Sequence, residues 1–329
     1  MTAESTTNPI PKVLTDQRAF GSFQANFYNC DQSLAKVYGH EDIWGGLIPL
    51  GNPTKRQSLI AREVACLKAL APSLDAQVVT VTVPNGEIDT GIVMNEIPRA
   101  AFLEQSILSG QVVPPKVFTD IARRVADFHF DSIACPRADV PSMSQYLQEL
   151  MAAESKMLLE GADIDEQKIY HKWGNLIAKY IDAHTPDLER RRQLLGEPIV
   201  GHGDIKSSNM AYLEGDEVCI IDPAPVDMWQ INDRRMDAGF FKTELELIGR
   251  NDDAQTYWQE YDKAYLEYVA KQGLEPQDMA FIQESNRIID RISDLYRLTI
   301  FHRLAVKKGV NPERGPVSKQ LLETLLPLQ

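Results

Sequence analysis

Cysteines are scarce in this chain, and the way they are distributed excludes two classes of protein. Only four occur, Cys30, Cys66, Cys135 and Cys219, and they are far apart in the sequence. They form neither a Cys-x-x-Cys pair nor a cluster with histidine, which zinc sites require. We therefore expect reduced, buried thiols rather than a disulfide framework or a zinc site.

Basic charge is also in short supply. The 34 lysines and arginines are outnumbered by 47 aspartates and glutamates, which gives a net charge of -13 and a pI near 5.0. Proteins that bind nucleic acid need a basic surface, so no nucleic-acid partner is expected. An acidic surface could suit a cationic substrate, but it could equally serve only solubility, and both interpretations stay open.

Long apolar runs are absent, although 43% of the 329 residues are hydrophobic. No run reaches the length of a transmembrane helix, and the polar first 13 residues lack the apolar core of a secretion signal. We expect a cytoplasmic protein with no membrane partner. The length fits one large bilobal domain or two domains of medium size.

The residue types best suited to chemistry lie in residues 201–210, Gly-His-Gly-Asp-Ile-Lys-Ser-Ser-Asn-Met. Asp204 offers a carboxylate, and Asn209, five positions later, offers an amide oxygen. A second carboxylate, Asp222, ends the apolar segment 218–221. Hard oxygen ligands and a carboxylate that orients a hydroxyl are what magnesium-dependent phosphoryl transfer requires. The pattern therefore predicts a magnesium-phosphate site.

A short hairpin connects these groups. Residues 210–213 and 218–222 are strand-like and are separated by Glu-Gly-Asp-Glu, a turn composition. Alternation along the second strand predicts that Val218, Ile220 and Asp222 share one face. Asp222 is expected at the strand end, where Pro223 stops the ladder.

The order His-x-Asp, Asn five residues after the Asp, and a second Asp after a hairpin resembles the catalytic loop of the protein-kinase-like superfamily. Gly203 and the lack of a Phe-Gly pair after Asp222 make the chain similar to the aminoglycoside phosphotransferase and choline kinase branch. The resemblance spans roughly residues 30 to 250. It extends to uncharacterised bacterial phosphotransferase-like proteins of that branch through residues 92–94, 122–129 and 233–241.

The resemblance implies a role for each polar residue of the loop. Asp204 would accept or orient the proton of the acceptor hydroxyl, while Asn209 and Asp222 would bind magnesium. His202 would anchor the loop structurally, and Asp237 would hydrogen-bond the loop backbone from a helix.

Two points at this loop stay open. Lys206 stands where histidine is commoner in this branch, and its ammonium could reach the transferring phosphoryl oxygens; the alternative is an ordinary surface lysine. Asp237 could instead form an exposed acidic pair with Asp233 near the start of a helix, an alternative that is more plausible for Asp233.

Lys36 and Glu63 are predicted to form a buried ion pair. Lys36 lies in a strand among apolar residues, and Glu63 lies on the apolar face of a helix predicted over residues 57–70, where a charge must be paired. The resemblance implies that the pair steadies the nucleotide phosphates. Alternatively, Lys36 is a solvated edge residue and Glu63 pairs with Arg62 or Lys68.

The resemblance implies two further nucleotide contacts. Backbone amides near Gly21 and Ser22 would cover the phosphates, although no Gly-x-Gly-x-x-Gly is present and an ordinary turn fits equally well. Glu96 and Ile97 would contact the adenine through their backbone groups.

The chain beyond residue 98 is predicted to be mostly helical. A helix over residues 117–130 carries His129, which we expect to be structural rather than reactive. Helices over residues 143–160 and 168–184 would shape the acceptor pocket. Three more helical segments are predicted within residues 254–328.

Together these patterns predict an α+β, bilobal, kinase-like fold. An antiparallel sheet and one helix would form a nucleotide-binding lobe over residues 1–97, and residues 98–329 would form the larger helical lobe with the catalytic loop. The implied function is magnesium-dependent transfer of the γ-phosphoryl group of ATP, or GTP, to a hydroxyl of a small metabolite or aminoglycoside-like compound. A nucleotide-binding pseudokinase with a regulatory or scaffold role is the alternative, and the oligomeric state is left open.

Overall fold

The protein divides into two compact units. The first contains Met1–Arg99 together with Cys219–Ile221, and the second contains Ala100–Val218 and Asp222–Gln329. The sequence analysis placed the lobe boundary at residue 97 and did not anticipate Cys219–Ile221 in the first unit. The computed structural model describes residues 12–14, 17–21, 25–30, 33–41, 50–131, 164–196, 199–213, 215, 217–223 and 231–308.

The first unit is built on a six-stranded sheet, ordered β1-β5-β6-β4-β3-β2. The pairs are antiparallel, as predicted, except that β1 runs parallel to β5. The sequence pattern predicts strands over residues 23–28, 33–38, 78–83 and 88–94, and the two strands that it misses, β1 and β2, lie at the edges. The strands are β1 (Lys12–Val13), β2 (Gln17–Gly21), β3 (Ala25–Cys30), β4 (Ser33–Tyr38), β5 (Gln77–Thr82) and β6 (Ile88–Asn95).

Helix α1 (Pro53–Leu70) joins β4 to β5 along the chain and starts one turn earlier than predicted. The reason is local, since Asn52 caps the helix by accepting a hydrogen bond from the backbone of Lys55, and Pro53 occupies the first helical position, where it needs no hydrogen-bond partner. Such a cap contributes about 1 kcal/mol. The helix ends just before Pro72, as expected from the sequence.

The second unit is mostly helical. Its helices are α2 (Leu103–Leu108), α3 (Pro115–Asp131), α4 (Ile164–Leu195), α5 (Arg234–Leu247), α6 (Asn251–Ala270) and α7 (Pro276–Lys308). Two small ribbons accompany them, an antiparallel pair of β7 (Ile199–Val200) with β10 (Ile231–Asn232), and the hairpin of β8 (Met210–Leu213) with β9 (Glu217–Ile220).

The helix predicted over residues 168–184 is longer than expected, because α4 continues past Pro186 to Leu195. The helix predicted over residues 143–160 lies outside the described residues, as does the last of the three predicted C-terminal segments. The other two correspond to α6 and α7, which are separated near Gly273 as expected.

Helix α5 lies in the middle of the second unit. Every residue in it except Lys242 and Glu246 is buried, including the acidic Asp237 and Glu244. A helix buried on all sides normally belongs to the core of a large domain. Its polar residues therefore need internal partners, and these partners build the candidate site. The apolar core around it combines α4, α5 and α7, with Trp173, Ile177, Met236, Phe240, Ile289 and Ile292 among its members.

Within the described ranges, no helix has both the length and the apolar composition that crossing a membrane requires.

Candidate active site

The loop between β7 and the 3-10 turn Ser207–Asn209 is held by a side chain of α5. The two oxygens of the Asp237 carboxylate accept hydrogen bonds from the backbone N–H of His202 at 2.7 Å and of Gly203 at 2.9 Å. The hydrogen bond predicted for Asp237 is therefore present. Gly203 has φ of +76°, a conformation that glycine adopts without steric cost, so the chain can turn here just before Asp204.

Asp233 is not an exposed partner of Asp237, because both side chains are fully buried. Asp233 caps α5 by accepting a hydrogen bond from the backbone of Arg235, and its carboxylate also accepts a bond from Arg191 Nε. Arg191, on α4, donates further bonds to Tyr265 of α6 and to Ser285 of α7. This buried network fixes the start of α5, and Arg191 had no signal in the sequence.

His129 is structural, as the sequence analysis favoured. Its Nδ1 lies 2.9 Å from the hydroxyl of Tyr261, and its Nε2 lies 3.1 Å from an oxygen of Asp237. Because Tyr261 donates its own hydrogen to the carbonyl of Arg234, it must accept from His129. His129 thus links α3 to α5 and α6 through buried side-chain contacts.

The surroundings of Asp237 favour its ionised form. Burial alone would raise the pKa of this carboxyl, but the hydrogen bond and charge of His129, together with His202, outweigh burial and lower the pKa below its ordinary value. Asp237 is therefore a buried anion that accepts hydrogen bonds from the loop of residues 201–206.

Asp204 lies between two cations in the second unit. Lys206 Nζ donates to Asp204 Oδ2, and Arg297 Nη1 of α7 lies 3.8 Å from Asp204 Oδ1. Burial lowers the pKa of Lys206, but the charge and hydrogen bond of Asp204 outweigh it, so the net shift is upward. With 33% of its side chain exposed and a partner on Asp204, Lys206 is only partly solvated. Whether it contacts the phosphoryl group stays a prediction.

Asn209 brings Asp204 and Asp222 together. Its amide nitrogen donates to the carbonyl of Asp204 at 3.0 Å, to Asp204 Oδ2 at 3.1 Å and to the carbonyl of Asp222 at 3.4 Å. The three residues that were predicted from spacing therefore converge.

Asp222 adopts a backbone conformation that the alternation rule did not predict. Strand β9 ends at Ile220, two residues before Asp222, so the prediction that the strand reaches Asp222 is wrong. Asp222 has φ of +59°, in the left-handed region that residues other than glycine seldom adopt. Such strain persists where the surrounding structure requires it, which is often at functional sites.

The donors that Asn209 and Asp222 offer are an amide oxygen and a carboxylate, which are hard ligands of the kind that magnesium takes. Among the described residues, no group of three or more His, Cys, Asp or Glu side chains is placed to hold a metal ion. Magnesium commonly uses one or two carboxylates and completes its coordination with substrate phosphates and water. The Asn209 oxygen and the Asp222 carboxylate match that requirement.

The first unit contains the predicted Lys36–Glu63 ion pair. Lys36 Nζ donates to Glu63 Oε1 at 2.8 Å, and both residues are almost fully buried. The hydroxyl of Tyr38 donates to the other oxygen, Glu63 Oε2, and the Tyr38 ring lies 5.0 Å from Lys36 Nζ. The alternative pairing of Glu63 with its helix neighbours is therefore wrong. The role of the pair in nucleotide binding stays a prediction, and Tyr38 was not foreseen.

The other residues predicted to contact the nucleotide lie at the ends of strands or outside the described residues. Gly21 ends strand β2, and Ser22 lies outside the described residues. Glu96 and Ile97 follow the end of β6, with the Glu96 side chain exposed and that of Ile97 partly buried. Their proposed backbone contacts with a nucleotide stay predictions.

The sheet-and-helix first unit and the helical second unit make up an α+β fold of the kinase-like type. Solved structures support this fold. An ADP-bound aminoglycoside phosphotransferase, APH(2'')-Ib, aligns with a TM-score of 0.52 at 13% identity over 96% of this chain and 93% of its own. Ethanolamine kinase from Plasmodium vivax aligns with a TM-score of 0.50 at 13% identity over 94% of this chain and 81% of its own. No family model and no curated protein sequence matches the chain.

Proposed function

We propose that the protein is a magnesium-dependent small-molecule kinase that transfers the γ-phosphoryl group of ATP or GTP to an alcohol. The observation that carries this proposal is the convergence at Asn209, whose amide contacts both Asp204 and Asp222. The residue that offers a carboxylate for the acceptor hydroxyl thus neighbours the two residues that offer oxygen ligands for a metal, and this supports phosphoryl transfer.

Each residue of the second unit would have a separate task. The Asp204 carboxylate would orient the acceptor hydroxyl and take its proton as the oxygen-phosphorus bond forms. The bond from the γ-phosphorus to the bridging oxygen breaks, and the nucleoside diphosphate leaves. Because this transition state is loose, a carboxylate suffices as the proton acceptor. Lys206 would contact the transferring phosphoryl oxygens.

Asn209 and Asp222 would hold magnesium. When bound, magnesium supplies charge neutralisation for the phosphate oxygens. In the first unit, Lys36 would contact the nucleotide phosphates while Glu63 and Tyr38 keep its ammonium in place. A cytoplasmic location, as expected from the sequence, would supply the nucleotide.

The proposed class of acceptor rests on the fold alone, so it includes several kinds of hydroxyl compound. The similar structures are named as an ethanolamine kinase and an aminoglycoside phosphotransferase, so amino alcohols, sugars and aminoglycoside-like compounds are the first acceptors to test. A fold by itself does not determine which substrate a protein uses.

The test is consumption of Mg-ATP across a panel of these hydroxyl compounds, with the phosphorylated product identified by mass spectrometry. We expect turnover with at least one acceptor and a loss of about 10²–10⁴-fold in Asp204→Ala, the usual contribution of a residue that handles the transferred proton. Asp222→Ala should abolish turnover by removing a metal ligand. Asp252→Ala, at an exposed aspartate in the first turn of α6, is the matched control.

Turnover that survives in both site variants would contradict the proposed reaction. Binding of Mg-ATP without transfer to any acceptor would favour the pseudokinase alternative instead.

A further inference from the structure

A second carboxylate of α5 contacts the catalytic loop, and neither the sequence analysis nor the proposed mechanism uses it. Glu244 Oε2 accepts the backbone N–H of Ser207 at 2.7 Å, and Glu244 Oε1 accepts the Ser207 hydroxyl at 3.0 Å. Glu244 is 4% exposed and Ser207 is 2% exposed. One buried carboxylate therefore accepts both hydrogen bonds that Ser207 can donate.

Ser207 is the first residue of the 3-10 turn Ser207–Asn209. The N–H groups at the start of a helical turn have no partner within the turn and need one from outside, and a carboxylate is a favourable partner because of its charge. Glu244 is such a partner for Ser207. The turn closes through the backbone N–H of Asn209, which donates to the carbonyl of Lys206 at 2.9 Å. Glu244 thus fixes the start of the turn that places the Asn209 side chain.

Glu244 and Asp237 hold the loop at two points. They are seven residues apart on α5, about two helical turns, and so lie on the same side of the helix. Asp237 holds the backbone at His202 and Gly203, and Glu244 holds it at Ser207. Asp204 and Lys206 lie in the segment between these two points.

A requirement for stability alone does not explain a glutamate at this position. Burying a carboxylate has a desolvation cost, and well-packed apolar residues often serve the stability of a core as well or better. The contact is directed at the one segment that carries both the candidate proton acceptor and a candidate metal ligand. Residues that orient metal ligands typically affect metal affinity or activity by about 10–100-fold.

We propose that Glu244 is a positioning residue for the metal site: through Ser207 it fixes the turn that presents Asn209. The inference rests on the proposed function insofar as Asn209 is taken as a metal ligand. The hydrogen-bonding part can be tested without metal, nucleotide or acceptor.

The first experiment measures hydrogen exchange of the loop amides in the protein without nucleotide. In Glu244→Ala, the amides of residues 207–209 should exchange at least about tenfold faster than in the wild type, because the N–H of Ser207 loses its acceptor. Glu244→Gln keeps the shape and can still accept this N–H, while its NH₂ can donate to the Ser207 hydroxyl. It should therefore give an intermediate result.

The second experiment titrates Mn²⁺, as a probe for the divalent cation, into the protein with ADP and follows free Mn²⁺ by electron paramagnetic resonance. Glu244→Ala should raise the apparent dissociation constant about 10–100-fold, and Glu244→Gln should raise it less. Glu246→Gln is the matched control on the same helix, since this residue is partly exposed and pairs with Lys242. Its titration should match that of the wild type.

The outcomes separate the two claims. If the wild type binds Mn²⁺ with ADP and Glu244→Ala binds it equally well, or if loop exchange is unchanged, the positioning role is wrong while the proposed function stands. If Glu244→Ala does not fold, Glu244→Gln decides by the same criteria. If the wild type itself binds no Mn²⁺ with ADP, the metal site of the proposed function fails and the inference fails with it.

Discussion

The Lys36–Glu63 pair and the loop around Asp204 are both polar sites in apolar surroundings, but the two units hold them in different ways. Lys36 lies in strand β4 and Glu63 in helix α1, so regular hydrogen bonding already satisfies their backbones and only the side chains need partners. The loop from residue 201 to 206 has no regular structure. Carboxylates of α5 accept the backbone N–H groups of His202 and Gly203 and, in the following turn, that of Ser207. The N–H of Asp204 donates to His202 Nδ1.

This difference shows where each site is vulnerable. In the first unit, losing one side chain leaves its buried partner unpaired but leaves the backbone hydrogen bonds of the strand and helix in place. In the second unit, losing Asp237 leaves two buried backbone donors unsatisfied and releases the segment that carries Asp204. The variants below test that contrast.

The largest effect is expected for Asp237→Ala. Removing one partner of a buried, charged hydrogen-bond network costs about 3–5 kcal/mol, because the remaining polar groups stay buried without partners. Chemical denaturation should show this loss in the free energy of unfolding, whereas Asp252→Ala should stay close to the wild type. A loss below about 1 kcal/mol for Asp237→Ala would mean that the loop does not depend on this carboxylate.

The same residue predicts a dependence on pH. Because folding lowers the pKa of Asp237 below its ordinary value of 3.8, its stabilisation is complete above that value and is lost as the pH falls from about 4 through the lower folded-state pKa. Asp237→Asn, if it folds, should therefore lose less stability in this acid range than the wild type. Equal slopes for the two proteins would contradict the assignment.

An intermediate effect is expected for Lys206→Ala. If the ammonium contacts the transferring phosphoryl group, removing it should lower kcat by about 10²-fold, the usual effect of deleting one electrostatic donor to a transition state. Lys116→Ala, at an exposed lysine of α3 that pairs with Asp120, is the control. A change of only a few-fold in Lys206→Ala would make this residue an ordinary lysine near the site.

The smallest effect is expected for Tyr38→Phe in the first unit. The substitution removes one hydrogen bond to the Glu63 carboxylate and keeps the ring and the Lys36–Glu63 ion pair, so the free energy of unfolding should fall by about 1.5–3 kcal/mol. Thermal or chemical denaturation measures it. A loss as large as that of Asp237→Ala would remove the contrast between the two units.

The sequence predicted the parts of the site whose residues carry a recognisable spacing. Motif order identified Asp204 with Asn209 and Asp222. The rule that a charge facing a core must be paired identified Lys36 with Glu63. The sheet was predicted for its central strands, but the short edge strands β1 and β2 have no clear alternation and were missed.

The supporting side chains could not be predicted, and the reason is physical. Glu244 meets Ser207 across 37 positions and Arg191 meets Asp233 across 42, so each contact exists only once the helices pack. A partial signal existed for Glu244, since it follows Asp237 by two helical turns. The left-handed backbone conformation of Asp222 could not be predicted either, because the alternation of a short apolar run does not determine where the strand ends.

The central claim is that Asp222 and Asn209 bind the magnesium of a magnesium-nucleotide complex. One measurement tests this claim most directly. The melting temperature of the wild type and of Asp222→Asn is measured with ATP, with and without magnesium. Asparagine tolerates the left-handed backbone, so the variant removes the charge and little else. The account predicts a magnesium-dependent rise in the melting temperature with ATP for the wild type and none for Asp222→Asn. No magnesium-dependent rise in the wild type, or an equal rise in both proteins, would contradict it.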